Sequence, residues 1–217
     1  MEPIKSVAQC VISKELARAA SSEAHALIAR QLSQAVATST DLEFFNLILA
    51  SISPTSSAGG DVKGVRSDLT TALDALSTGA DSKIFFVVSS STAKRLSVMG
   101  DTVGGSAFPD MSPSGGSIGN TPTLVSDGLP SNYLVALDAS QIAVGAEPGM
   151  NLSTSEQALV AADSSPDSPP VAGTVMTSLW QSDLIAIMTE RFWGAERLRT
   201  TAVAAISNFA PSGNSPA

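Results

Sequence analysis

A chain of 217 residues with 43% hydrophobic residues can bury a core in one domain or two small ones, which excludes disorder throughout. Only 15% of residues are charged and 5% aromatic, so Ala, Ser, Thr and Gly finish much of the surface; such surfaces lose little side-chain entropy on burial and suit an exterior that is mostly interface, although enzymes from high-GC bacterial genomes share the composition. The net charge of -8 is unevenly placed: nine bases balance nine acids through Arg95, then ten acids and no base precede Arg191, and a stretch so acidic works against gripping nucleic acid.

In chain order, "SKELARAA" at 13–20 reads as a short helix with Ser13 as N-cap, and a longer helix follows with Ser21 or Ser22 capping it. Leu27, Ile28, Leu32, Ala35 and Val36 fall at helical spacing, with His25, Arg30 and Gln34 off the stripe. The Ser, Pro and Gly cluster "SISPTSSAGGD" ends that helix near residue 50. Residues 67–77 repeat the helical pattern with Leu69, Ala72, Leu73 and Leu76 on one side, "KIFFVV" at 83–88 predicts a buried strand, and "SSSTAKRLSVM" resumes a helix. Residues 100–120 are so rich in Gly, Ser and Pro that they read as a long loop with no packed element. Three strands, "TPTLVS", "NYLVALD" and "QIAVG", come next, separated by turn chemistry, and another loop is expected at 163–170. "TVMTSLWQSDLIAIMTERFW" reads as a long strand or strand pair from its β-branched and aromatic content, with a helix from Asp183 as the alternative. The fold class is α+β.

Catalytic chemistry has little to work with. His25 is the only histidine and lies on the polar side of its helix, where a solvated residue is expected. Cys10, flanked by Val7, Ala8, Val11 and Ile12, reads as a small buried hydrophobe and cannot form an internal disulfide. One His and one Cys assemble no metal site, and the ten acids of the middle stretch are scattered without ligand-loop spacing; no cofactor or metal is called for. "GDTVGG" and "GGSIGN" lack the Lys-Ser/Thr that completes a phosphate loop. With no leader and no apolar run of about 18 residues, the chain reads as soluble and cytosolic, with no membrane partner.

At residues 115–142, "GGSIGNTPTLVSDGLPSNYLVALDASQI" resembles tailed-bacteriophage major capsid proteins, in which a Gly-rich loop leads to a Gly-x-Pro strand, a polar turn and a strand closing on "DAS-x-I". Pro122, Ser126, Pro130 and Asp138-Ala139-Ser140 stand at those places, and Asn120 replaces the usual Gly, tolerably because Asn also accepts the left-handed conformation. "SLWQSDLIAIMTERFWGAERLRTTAVAAI" is similar to the family's C-terminal signature, and "CVISKELARAASSEAHALIARQLSQAVA" to its "S-x-E-L" segment and spine helix. The likeness is greatest to capsid proteins made as fusions behind a prohead protease, although these residues encode no protease.

The resemblance implies the Hong Kong 97 capsid fold, with residues 1–54 and 174–199 peripheral, 55–173 and 200–208 axial, and 209–217 a flexible tail. It implies a structural major capsid protein of the virion, assembled in the bacterial cytoplasm as pentamers and hexamers of an icosahedral shell, with no cofactor. That shell encloses double-stranded DNA without binding it specifically, and portal, scaffold or decoration proteins are candidate further partners. The acidic run would be the axial domain, kept from sticking to DNA. Glu190, Arg191, Arg197 and Arg199 become candidates for contacts between subunits, set against a plainer reading of the arginines as solvated strand ends. The family's N-terminal arm and extended loop have no counterpart before "S-x-E-L", as expected of a truncated or cleaved chain or of one assembled by other contacts. Where some members form Lys–Asn crosslinks promoted by a Glu, this chain has Ser182 for the Asn and Thr189 for the Glu, so self-crosslinking is not expected. The rivals are a small hydrolase or nucleotide-binding enzyme using the 100–120 loop with Asp101 or Asp110, a cellular nanocompartment shell of the same fold, and a monomeric binding module on a larger assembly.

Overall fold

The structure is a computed structural model that describes residues 3–19, 21–101, 104–161 and 171–212. The side chains of Ser22 and His25, the loop expected at 163–170 and the last five residues of the expected tail lie outside the described residues. Two compact units divide the chain, one of residues 38–145 and 194 onward, the other of 3–37 and 146–193.

The larger unit is built on a seven-stranded sheet whose order is β2 (Thr55–Ser56), β13 (Val203–Ser207), β7 (Leu134–Asp138), β3 (Ile84–Val88), β6 (Thr121–Val125), β5 (Gly115–Ile118) and β4 (Met111–Ser112). Alternation along the central strands sends side chains into two separate cores. Phe86, Val88, Leu134, Ala136, Ala204 and Ile206 join Val65, Leu69 and Ala72 of helix α3 (Val62–Asp74) and Ala93 and Leu96 of α4 (Ser90–Ser97). Val87, Val135, Leu137, Val203 and Ala205 meet Phe45 and Ile48 of helix α2 (Ser22–Leu49) on the other face. A sheet covered on both faces needs apolar residues at consecutive positions, which is why "IFFVV", "LVAL" and "VAAI" are unbroken runs rather than alternating ones.

The smaller unit has β1 (Ile4–Ser13) paired antiparallel along its whole length with β12 (Leu184–Arg197), and β9 (Asn151–Ser155) on the other side of β12. Strand β8 (Ile142–Ala146) also joins β12, and β12 and α2 each contribute residues to both units. A two-stranded ribbon of β10 (Leu159–Ala161) and β11 (Met176–Ser178) completes the list, with α1 (Lys14–Ala19) following β1. Ser13 caps α1 by accepting the Leu16 N–H at 3.2 Å, and Ser21 caps α2 by accepting that of Ala24 at 3.3 Å.

Several expectations need correction. On α2 the buried stripe is narrower than its spacing suggests: Leu32 and Val36 are buried, but Leu27 and Ala35 are exposed. Residues 100–120 are not an empty loop; β4 and β5 lie there, and Ala107, Phe108, Met111 and Ile118 enter the core. The glycines that read as loop punctuation are the ones a tight hairpin requires. The helix considered from Asp183 is a strand, entered through Asp183 itself in the left-handed conformation at φ 51°. Cys10 is half-buried on β1 rather than enclosed. Phe209, expected in the tail, is fully buried, and its N–H donates to the Asn132 carbonyl at 2.7 Å. Asn120 does adopt the left-handed conformation, at φ 65°.

Candidate assembly surface

The β1–β12–β9 sheet carries two of the four predicted contact residues, and its register decides where they point. Glu190 pairs with Val7 and Arg191 with Ser6, so the two consecutive residues face opposite sides. On one side lie Lys5, Val7, Gln9 and Val11 of β1 with Ala186, Met188, Glu190 and Phe192 of β12. Glu190 is spent within the chain: its carboxylate pairs with the Lys5 ammonium, which also sits 5.5 Å from the centroid of the Phe192 ring. The pair is partly solvated, so it fixes geometry more than it adds stability. Around it Val7, Val11 and Phe192 are exposed. The opposite side holds Ile4, Ser6, Ile12, Ile187, Arg191 and Trp193, where the Trp193 indole Nε1 donates to Ser6 Oγ at 2.9 Å in a buried pair. Arg191 is half-buried there.

Lys14 makes a second link, with Glu156 at 3.2 Å and Asp183 at 3.6 Å, while its N–H donates to the Asp183 carbonyl at 3.0 Å. These pairs correct the reading of the acidic run as one domain. Four described members of it, Glu147, Glu156, Asp183 and Glu190, belong to the smaller unit, and three of them are neutralised by lysines more than a hundred residues earlier. By sequence the larger unit, counted with the first two residues, has twelve acids against seven bases and the smaller eight against five, so the acidity is shared.

Arg197 and Arg199 lie just beyond, in the larger unit. The Arg197 guanidinium donates to the Ala50 carbonyl at 2.6 Å, immediately after the end of α2. That helix has no basic residue in its last turn, so Arg197 supplies the positive charge its C-terminal end favours. Arg197→Ala is expected to lower stability by about 1 kcal/mol, measured as a shift in the urea midpoint, with Arg197→Lys recovering part of it. Arg199 is exposed. Of the four candidates, then, the structure gives Glu190 and Arg197 partners inside the chain, and leaves Arg199 at the surface.

The "DAS-x-I" motif has a structural role. Asp138, buried at the end of β7, accepts the Lys83 N–H at 2.9 Å, the Ser140 N–H at 3.0 Å and the Ser140 hydroxyl at 2.7 Å. It thereby joins the entrance of β3 to the turn leaving β7. The polar turn at Ser126 works similarly: Ser126 donates to Asp41 at 2.9 Å, and Gly128 lies so close to α2 that a Cβ there would stand 2.6 Å from the Leu42 nitrogen.

None of these groups forms a reactive constellation. Among the described residues no three His, Cys, Asp or Glu are placed to hold a metal, and no helix is long and apolar enough to cross a membrane. A hollow of about 490 Å³ in the larger unit is lined by Phe44, Phe45, Phe85, Leu124 and Val125, with Asp41 already hydrogen-bonded at its rim. Asp110 is exposed, on the turn entering the β4–β5 hairpin. Sequence reasoning missed Lys5, Lys14 and the exposed Trp180; a Trp within an uncharged stretch beside a turn was the available signal for the last.

The described residues thus give two α+β units, open apolar strand surfaces and polar motifs spent on holding turns. Over 222 aligned residues the chain is 32% identical to the capsid polyprotein of Pseudomonas phage PAJU2, covering 94% of this chain and 33% of that protein. A solved protein of Mycobacterium phage Adephagia matches with a TM-score of 0.65 and 14% identity over 99% of this chain and 73% of its own. The virus-like particle of Pyrococcus furiosus matches at 0.63 and 10% identity, over 94% of this chain and 76% of its own. No family model matches the sequence. The fold is the Hong Kong 97 capsid fold, and the sequence is similar to part of a phage capsid polyprotein. The chain spans about a third of the length of the capsid polyprotein it matches.

Proposed function

We propose that copies of this chain assemble into pentamers and hexamers of an icosahedral shell that encloses double-stranded DNA without specific contacts to it. The smaller unit, residues 3–37 and 146–193, is the peripheral part on this reading, and the larger unit the axial part. The observation that carries it is the 32% identity to a capsid polyprotein over nearly the whole chain. The architecture agrees with it. Both edges of the seven-stranded sheet end in two-residue strands, β2 and β4, too short to recruit a further strand. Contacts between copies therefore fall to side-chain surfaces, where Arg191 and Arg199 are the arginines with which a neighbour's carboxylates would pair. An excess of acid in both units repels a polyanion, so packed DNA would be held by confinement. Portal, scaffold and decoration proteins are the further partners this function calls for.

Many weak heterologous contacts per copy suffice in a closed array. The test is electron microscopy and light scattering of the purified full chain across a concentration series, with nuclease digestion to find protected DNA. Five- and six-membered rings or closed shells are expected. A folded chain that stays monomeric over the whole range would overturn the reading.

A further inference from the structure

We propose that the β10–β11 ribbon is an arm with which each copy docks on the next, seated on the apolar face of the neighbour's β1–β12 sheet; this rests on the shell reading above. Strands β10 and β11 have three residues each, pair Leu159 with Ser178 and Ala161 with Met176, and have no third strand among the described residues. A two-stranded ribbon alone is marginal in water. This one is also coated for burial: Leu159 is 63% exposed, Val175 80% and Trp180 70%, while Leu179 at its base is fully buried. Residues 157–161 and 171–182 contain no charged side chain, the two aspartates Asp163 and Asp167 falling in the sequence between them, although exposed strands are ordinarily kept soluble by Lys or Glu. An exposed Trp in an uncharged setting is the kind of residue that anchors interfaces.

The occupant follows from complementarity. An uncharged apolar ribbon is best received by an apolar surface with no unpaired charge. The sheet of the same unit presents one in Val7, Val11 and Phe192, each more than a third exposed, and the ion pair on that side, Lys5 with Glu190, is satisfied within the chain. Each copy then offers one surface and receives another, the head-to-tail relation that closes into rings.

The test uses the full chain with a photoreactive phenylalanine at position 180, assembled from a mixture of 14N- and 15N-labelled copies. Irradiation is expected to join position 180 of one isotope to residues 3–13 of the other. Trp180→Asp is expected to keep the circular dichroism and melting temperature of the parent, since Trp180 is mostly solvated, while raising the protein concentration needed for assembly at least about tenfold. Crosslinks confined to one isotope, or a Trp180→Asp chain that assembles at the parent's concentration, would overturn the arm while leaving the shell reading intact. Failure of the unsubstituted chain to assemble at all would overturn both.

Discussion

Gly116→Ala is expected to destabilise the larger unit by about 3 kcal/mol, enough to lose the β4–β5 hairpin or much of the protein's stability. A Cβ on Gly116 would lie 2.1 Å from the carbonyl oxygen of Asp110 and 3.1 Å from the Met111 Cα, and both are backbone atoms that cannot rotate aside. The residue also has φ +156°, a conformation side chains rarely adopt. Backbone movement there drags Met111 and Ile118, which are buried in the core shared with α3 and α4. Gly119→Ala provides the control: it too has positive φ, at +56°, but nothing within 4 Å of the new methyl. That substitution is expected to cost about 1 kcal/mol. Urea unfolding of the two variants checks the comparison, and equal losses would mean that backbone conformation, not the close approach to Asp110, is what Gly116 provides.

The same hairpin marks where the sequence was hardest to read. Apolar runs such as "IFFVV" and "LVAL" announce buried strands because every position is apolar, and the Ser21 cap announces α2 because a hydroxyl before a helical pattern has one obvious use. Residues 100–120 announce nothing, since Gly115 and Gly116 are present for what they lack. Only the approach of the Asp110 carbonyl reveals their purpose, and that approach is a tertiary fact. Periodicity similarly cannot tell which apolar helical residues meet a partner: Leu27 and Leu32 belong to the same stripe by spacing, but only Leu32 is buried. Charge was misread for a related reason. The run of acids between Arg95 and Arg191 looks unopposed along the chain, but Lys5 and Lys14 reach it through antiparallel pairing of β1 with β12, a relation invisible to any local window. Of the predicted contact residues, β-branched and aromatic content put Glu190 and Arg191 on a strand, against the alternative of a helix from Asp183, and a strand is what forms. That content could not show that Glu190 has a partner in its own chain, or that Arg197 closes the end of a helix nearly 150 residues earlier.

Asp138→Ala is expected to cost about 2–3 kcal/mol, because the part-buried Lys83 and Ser140 amides would lose their acceptor. Asp138→Asn retains a carbonyl acceptor and gives up only the charge, so a loss of about 1–2 kcal/mol is expected. The two variants separate acceptor from charge, and acid titration then isolates the charge. Burial opposes ionisation of Asp138, but hydrogen bonds from the Ser82 and Ser140 hydroxyls and the Lys83 and Ser140 amides outweigh it, lowering the pKa from 3.8 to about 2. The unfolded chain therefore takes up this proton first as the pH falls. The stability contributed by the carboxylate is complete above about pH 4 and disappears as the pH drops toward 2. Measured against the parent, Asp138→Asn should be less stable at pH 6 by a constant amount that shrinks between pH 4 and 2 as the parent loses its advantage. A parent and an Asp138→Asn chain of equal stability from pH 6 to pH 2 would show that the turn depends on the acceptor alone, and that the acid of "DAS-x-I" serves by shape rather than by charge.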